Sequence, residues 1–410
     1  MKITDKDRVE QKKTAVVSCY FQPNYGSMLQ ALATQMALDR LNIVNETVDI
    51  SEFQQYLNKK RNKYILKSAF TSGLLAAKAG RAMDAVRVKL GKGDYAKKKK
   101  ERNLALSGFK EKYFRMSPKC SSLNKLSQMT EKRYDSVLVG SDQLWLPGNI
   151  AADYYTLNWV PEGINTVAYA TSFGQASLPR NISGSAEKFL KRIRHLSVRE
   201  YSGQKLIMRL SGRRVPVVCD PTLLFDGQKW MSIQRKEPLY EGKYIFCYFL
   251  GKNRLHREYA KKLRIYTGYR IIALTHLDEY VKWDNGYADE TPYDVDPAGF
   301  LNLIRNASYV CTDSFHCTAF SIQYGVPFTT FRRFGEKAKV STNSRLDTLL
   351  RMTGATNRLI ENAELIKVLK KPKKDLLAVL DNSDLCETEK SLEKVRMRSW
   401  KYLETAVRDI

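Results

Sequence analysis

The chain is predicted to be an α/β protein of two Rossmann-like domains facing a cleft, and three observations carry that expectation. Short apolar, β-branched runs alternate with stretches of helical periodicity along most of the 410 residues. Strands that alternate with helices demand a parallel sheet with right-handed crossovers. Polar residues stand where the strand runs end, at the carboxyl edge where such sheets hold ligands. The length suffices for two domains with a core each, and 43% hydrophobic residues suit a globular chain. The expected division is 12–190 for the first domain, with a basic helical insertion at 54–115. The second domain is expected at 191–385, followed by a terminal helix at 386–410.

Thr14 to Tyr20 reads as the first buried strand and ends in Phe21, Gln22, Pro23, Asn24, Tyr25 and Gly26. Met28, Leu29, Leu32, Met36, Leu38 and Leu41 then recur at spacings of three and four, as on one face of a helix. Gly26 lets backbone approach a ligand closely and Ser27 can cap the helix, so this loop could seat a phosphate or a sugar, or be a plain turn. Tyr134 to Val139 is a further strand, followed by Gly140, Ser141, Asp142, Gln143, Leu144 and Trp145. Asp142 and Gln143 offer acceptors and donors to sugar hydroxyls beside an aromatic face; alternatively Asp142 caps a turn. Thr166 to Thr171 ends in Ser172, Phe173 and Gly174. His195 to Val198 ends in Arg199 and Glu200, with Ser202 as the expected cap of the next helix. Arg199 suits an anionic donor, because guanidinium holds phosphate or carboxylate bidentately, although an Arg–Glu neighbour pair is also an ordinary ion pair.

The second half repeats the alternation. Tyr244 to Leu250 and Arg270 to Thr275 read as strands, and Arg254 to Tyr266 and Ala298 to Asn306 as helices. Tyr309 to Thr312 is a strand, and a helix from Thr318 stops at Gly325. Asp313, Ser314, Phe315 and His316 lie between, aimed at a crevice beside free helix N–H groups. The plainer alternative is that Ser314 caps the helix and His316 fills the core. Asn343 to Thr353 and Ser391 to Val407 read as the last helices.

The formal net charge of +26 implies an anionic partner. Residues 54–115 hold 18 Lys or Arg against 4 Asp or Glu, more than half of the excess. Ile65, Leu66, Ala69, Phe70, Leu74 and Leu75, then Ala82, Met83, Val86 and Leu90, add an apolar stripe. Such a basic amphipathic stretch suits an anionic bilayer or a charged glycan carrier, or is a solvated insertion packed on its own domain. Seven scattered cysteines, mostly in apolar runs, are the pattern of reduced core thiols in a cytoplasmic protein, and none has metal-ligand spacing. No metal site is expected. Residues 1–14 carry no apolar h-region and no run approaches a membrane span, so neither signal peptide nor transmembrane segment is expected. The absence of a Gly-x-Gly-x-x-Gly fingerprint and of a P-loop argues against dehydrogenase and NTPase functions.

Taken in order, these stretches resemble the polysaccharide pyruvyl transferase family. The matching residues are Asn24-Tyr25-Gly26 with Leu29-Gln30; Asp135 and Gly140-Ser141-Asp142-Gln143 with Trp145; and Ala170-Thr171-Ser172-Phe173-Gly174. Ser197-Val198-Arg199-Glu200, Asp220-Pro221-Thr222, and Thr312-Asp313-Ser314-Phe315-His316 with Phe320 complete them. Cys317 departs from the pattern, standing where a small residue such as glycine is expected. The resemblance implies a GT-B-like fold and transfer of the pyruvyl group of phosphoenolpyruvate onto a sugar as a ketal. It implies His316 and Asp142 as catalytic residues. Arg199, Ser314, Asn24, Gly26, Ser141 and Gln143 would bind substrate, with the first domain on the acceptor side and the second on the donor side. No cofactor is implied beyond phosphoenolpyruvate as donor substrate. The implied partners are phosphoenolpyruvate and a glycan or lipid-linked oligosaccharide acceptor. Peripheral contact with an anionic membrane at the inner face of the cell membrane would accompany a cytoplasmic location, and no nucleic acid is implied. Two rivals stand beside this reading: a glycosyltransferase using a nucleotide sugar, since fold does not fix function, and a nucleic-acid binder suggested by charge alone.

Overall fold

The computed structural model describes residues 12–72, 95–275, 277, 280–333, 343–383 and 385–409. Among these residues ten strands form two five-stranded sheets, and every pairing is parallel. The first sheet holds β1 (Lys13–Val17), β2 (Val44–Thr47), β3 (Ser136–Val139), β4 (Asn165–Thr171) and β5 (His195–Val198) in the order β2-β1-β3-β4-β5. The second holds β6 (Tyr244–Tyr248), β7 (Arg270–Ala273), β8 (Tyr309–Thr312), β9 (Phe328–Phe331) and β10 (Leu359–Ile360) in the order β10-β9-β8-β6-β7. Helices cover both faces of a parallel sheet, which is why β3, β4, β6 and β8 are buried at every position and read as unbroken runs. Two Rossmann-like domains facing a cleft result, the GT-B-like arrangement.

The helix Tyr25–Arg40 joins the halves. It is buried almost all round, as a helix with apolar and small residues on every face must be. The Tyr25 ring stacks on Phe300 of the second half, with centroids 4.8 Å apart, and its hydroxyl donates to the Val295 carbonyl at 3.0 Å. One apolar cluster therefore runs from Val16 and Leu29 through to Phe246 and Phe320.

Several expectations need correction. The domain boundary expected at residue 190 falls too early, because β5 pairs with β4 in the first sheet. Of the helical insertion expected at 54–115, the described part comprises the helices Gln54–Ser72 and Tyr95–Tyr113. Leu74, Leu75, Ala82, Met83, Val86 and Leu90, and the side chains of Ala69 and Phe70, lie outside the described residues. Ile65 and Leu66 are half exposed, whereas Leu106 and Phe109 of the second helix are buried. The terminal helix spans Leu385–Arg408 and crosses back to the first half, where the Ala406 carbonyl accepts from Asn165 and Tyr402 donates to the Ala168 carbonyl. Ser27 and Ser202 are not caps. Asn24 caps the first helix, accepting from the Ser27 N–H at 3.2 Å, and Ser202 lies inside the helix Tyr201–Ser211. Strands β2, β9 and β10 were not anticipated, since Val-Asn-Glu-Thr is polar and Leu359–Ile360 is only two residues long. Among the described residues no helix is long and apolar enough to cross a membrane.

Candidate functional site

The candidate site grows from two strained strand ends. Three residues beyond β3 the backbone of Asp142 has φ +85°, and in β4 Ala170 has φ +54°, where the register with β5 shifts between Ala168 and Thr171. A left-handed conformation at a non-glycine residue costs of order 1–3 kcal/mol and persists where the surroundings over-determine it. Here they do: the Ala170 N–H donates to Ser197 Oγ at 3.1 Å, and Asp142 bridges to Thr171. The effect is to swing the Asp142 carboxylate toward Arg199 at the end of β5.

Arg199 is the hub of the cluster so formed. Its Nη2 donates to Asp142 Oδ1 at 2.9 Å and its Nη1 to Asp220 Oδ2 at 2.6 Å, and its side chain is only 1% exposed. Arg199 was expected as a cation open to an anionic donor; it is instead closed between two carboxylates, with its guanidinium 4.8 Å from the Phe315 ring centroid. Ser141 Oγ sits between Asp220 Oδ2, at 2.7 Å, and the Arg199 guanidinium, at 3.2 Å. Asp142 also accepts from Ser27 Oγ at 2.7 Å and lies 3.5 Å from the Cys19 thiol. Burial acts to raise both carboxylates. For Asp142 the charges of Arg199, His316 and Arg345 outweigh it, and for Asp220 those of His316 and Arg199, so both are held far below the usual carboxylate range. Neighbouring Glu200 goes the other way. Burial raises it despite Arg199 and Arg345, and its Oε1 accepts from Ser172 Oγ and the Phe173 N–H while Oε2 has no partner.

The second half supplies His316. It was expected in the turn before a helix starting near Thr318; the helix instead spans Phe315–Gln323, with Ser314 as N-cap accepting from the Cys317 N–H at 3.5 Å. His316 therefore lies in the first turn, and the Ser314 hydroxyl is directed at the helix end. The imidazole Nε2 is 3.6 Å from Asp220 Oδ2 and makes no hydrogen bond. Its other face lies on Gly26, where a methyl group would overlap Nδ1. Glycine is thus required at residue 26 for close packing across the two halves.

Arg345, on the helix Asn343–Thr353, was missed. Its Nη1 lies 3.8 Å from Asp142 Oδ1, and the Gln143 amide oxygen, turned toward it, accepts from Arg345 Nε at 3.1 Å. Burial and the like charge of Arg199 pull its pKa below the usual arginine value, yet it stays protonated at neutral pH. No residue pattern around Arg345 could have singled it out. Asp313 was quoted only as part of a motif. Its carboxylate accepts from the Leu250 and Gly251 N–H groups at 2.6 and 2.8 Å, fixing a turn of the cleft wall, and its carbonyl accepts from Arg333.

The cleft itself holds a cavity of about 480 Å³ walled by the Phe21–Tyr25 loop, the two basic helices, Tyr248–Leu250 and Arg333. Of the expected residues, Asn24 lines it, and Asp142 and Gln143 line a side chamber of about 210 Å³ with Cys19 and Arg61. Gly26, Ser141, Arg199, Ser314 and His316 line neither; the charge cluster sits behind Asn24 and the first turn of the helix Tyr25–Arg40. Arg102 of the second basic helix donates to the Thr275, Pro292 and Tyr293 carbonyls, so the insertion is tied across the cleft to the second half.

A family model for polysaccharide pyruvyl transferase matches residues 24–333 of the chain. No curated protein matches it. Among solved structures, the chain is similar to UDP-GlcNAc 2-epimerase from Methanocaldococcus jannaschii, with 13% identity and a TM-score of 0.46 over 90% of this chain and 91% of that one. It is similar to S. aureus MnaA in a UDP co-structure, with 11% identity and a TM-score of 0.48 over 91% of each. It is also similar to Acinetobacter baumannii MurG, with 11% identity and a TM-score of 0.43 over 98% and 100%.

Proposed function

We propose, since the chain belongs to the polysaccharide pyruvyl transferase family, that it moves the pyruvyl group of phosphoenolpyruvate onto two hydroxyls of one sugar in a polysaccharide or lipid-linked oligosaccharide. The observation that carries this reading is the buried charge cluster, in which His316 of one half is seated on Gly26 of the other beside ion-paired Asp220, Arg199 and Asp142. A ketal forms when the enol methylene gains a proton, a first hydroxyl adds to the central carbon, phosphate departs and a second hydroxyl closes the ring. The two hydroxyls lose two protons; one ends on the new methyl group and the other leaves on phosphate. A single imidazole that accepts and returns protons can serve both steps, and His316 Nε2, without a hydrogen-bond partner, is the candidate. Asp220, 3.6 Å from that nitrogen, places a negative charge beside the ring. Arg199 fixes Asp142 and Asp220 in place, and Arg345 beside Asp142 and Arg333 beside Asp313 suit the donor's phosphate and carboxylate. Asn24, Asp142 and Gln143 would hold the acceptor hydroxyls.

The setting that goes with this chemistry is the inner face of the membrane, where a lipid-linked acceptor would sit beside exposed Lys97 and Lys100. The test is to incubate the full chain with phosphoenolpyruvate or with nucleotide sugars, with and without glycan acceptors. Acceptor-dependent release of phosphate, with a new ketal methyl signal by NMR, is the expected result. Release of nucleotide and none of phosphate would replace it with glycosyl transfer.

A further inference from the structure

The basic insertion contributes more than surface charge. Among the described residues, four cations line the main cavity, Arg61 and Lys99 and Arg102 from the inserted helices and Arg333 from the second half, and no carboxylate does. Arg102 is spent on three backbone carbonyls, and Arg333 is held at Asp313. The Nε of Arg61, like that of Arg333, is a buried donor with no hydrogen-bond partner, but Arg61 differs in having no carboxylate paired with it among the described residues. Such groups are rare in folded proteins because each forfeits its hydration without return, and a missing ligand is one of the ordinary reasons for them. Arg61 also stands where the main cavity, the side chamber holding Asp142 and Gln143, and a small third chamber meet. Its stem crosses the helix Pro147–Ala152 at Gly148, where a methyl group would lie 2.9 Å from Arg61 Cγ. Glycine inside a helix costs stability, and here it leaves the passage by which Arg61 reaches the junction.

We propose that Arg61 reads a negative group on the acceptor: the enzyme selects a sugar that itself carries a phosphoryl or carboxylate group close to the hydroxyls receiving the pyruvyl group. This rests on the pyruvyl-transfer reading for its chemistry, but its test does not. Guanidinium matches either anion in bidentate fashion, and the charge of Arg61 favours an anionic sugar over its neutral counterpart.

The test is titration of the full-length protein, without phosphoenolpyruvate, with a hexose 1-phosphate, a methyl hexuronide and a neutral methyl hexoside, for wild type, Arg61→Gln and Arg61→Lys. At least one anionic sugar should bind roughly 10- to 100-fold more tightly than the neutral one, the range set by one or two charge-assisted hydrogen bonds. The advantage should shrink with added salt, fall away in Arg61→Gln and survive in part in Arg61→Lys. Preference for the phosphate would assign a phosphorylated sugar, and preference for the uronide an acidic repeat unit. Equal binding of all three sugars, or an unchanged preference in a folded Arg61→Gln protein, overturns the proposal. In a separate phosphate-release assay Arg61→Gln should raise KM for the charged acceptor and leave KM for phosphoenolpyruvate unchanged. Absent phosphate release with an intact binding preference would sink pyruvyl transfer and leave the role of Arg61 standing.

Discussion

Two arginine-rich regions meet in this protein and treat their charge in opposite ways. In the cluster behind Asn24 and the first turn of the helix Tyr25–Arg40, Arg199 is buried and matched by two carboxylates. In the cavity before that turn, cations from the inserted helices face a space that no carboxylate lines among the described residues. A buried ion needs a fixed partner, because losing its water costs more than a loose attraction returns, so the matched arginine is suited to positioning. A cation left without a carboxylate is suited to recognition, because its partner can arrive from solution. Arginines indistinguishable as letters thus divide by whether the fold has already supplied their counter-charge.

The strongest way to break this comparison is at His316, the group placed to turn the matched cluster into chemistry. His316→Ala should lower turnover by roughly 10²- to 10⁴-fold with the fold intact, measured as acceptor-dependent phosphate release. Gly26→Ala should cost a similar amount, since its methyl group displaces the same ring. Near-normal turnover in either folded variant would remove His316 from the reaction.

Arg199→Lys comes next. An ammonium cannot span Asp142 and Asp220 with the fixed fork of a guanidinium, so up to about 3–5 kcal/mol of stability should be lost, together with acceptor affinity through the displaced Asp142. Chemical denaturation reads the first and the KM for the acceptor the second. Unchanged stability would mean that the carboxylates do not depend on this pairing. The same pairing sets the acid limb. Asp142 and Asp220 have folded pKa values below their unfolded ones, so their contribution is full above about pH 4 and is lost as pH falls below it. Denaturant midpoints taken from pH 7 downward should fall along that limb, and less steeply in Asp220→Asn.

A smaller effect is expected on the outer face of the basic helices. Of the run of four lysines, Lys98 lies over the Tyr293 ring and Lys99 lines the cavity, leaving Lys97 and Lys100 exposed. Replacing both exposed lysines by glutamine should weaken co-sedimentation with anionic vesicles by about 1 kcal/mol for each charge, and high salt should abolish it. Equal, negligible binding to anionic and neutral vesicles would leave the stretch to the cavity alone.

The smallest change is Glu200→Gln. Burial raises the Glu200 pKa above its unfolded value, so its carboxylate opposes folding at neutral pH and that cost is relieved as pH falls. Glutamine keeps an oxygen for Ser172 and Phe173 without the charge. The variant should therefore be slightly more stable at pH 7 and no different near pH 4; destabilisation at pH 7 would show that the carboxylate is itself required.

The strands His195–Val198 and Tyr309–Thr312 and the helix Asn343–Thr353 are found where the apolar pattern places them. The family and the two-domain parallel architecture were likewise legible. Both rest on local facts: the period of apolar residues follows from helix and strand geometry, and short polar motifs at strand ends keep their order whatever packs on them. Tertiary structure alone decided which side of those motifs each group faces. Nothing beside Arg345 in the chain announces that it approaches Asp142, and nothing beside Gly26 announces His316, because those partners lie far apart in sequence and meet only when the halves close. Asn24 caps a helix and Ser314 caps another because the first turn of each leaves N–H groups that need an acceptor. Arg199 is closed rather than open because Asp220, from a motif with no charge pattern of its own, is folded beneath it. The residues with chemical potential are written in the chain; which of them are spent on one another, and which are left for a ligand, is settled by distances of a few ångströms that only the packed molecule sets.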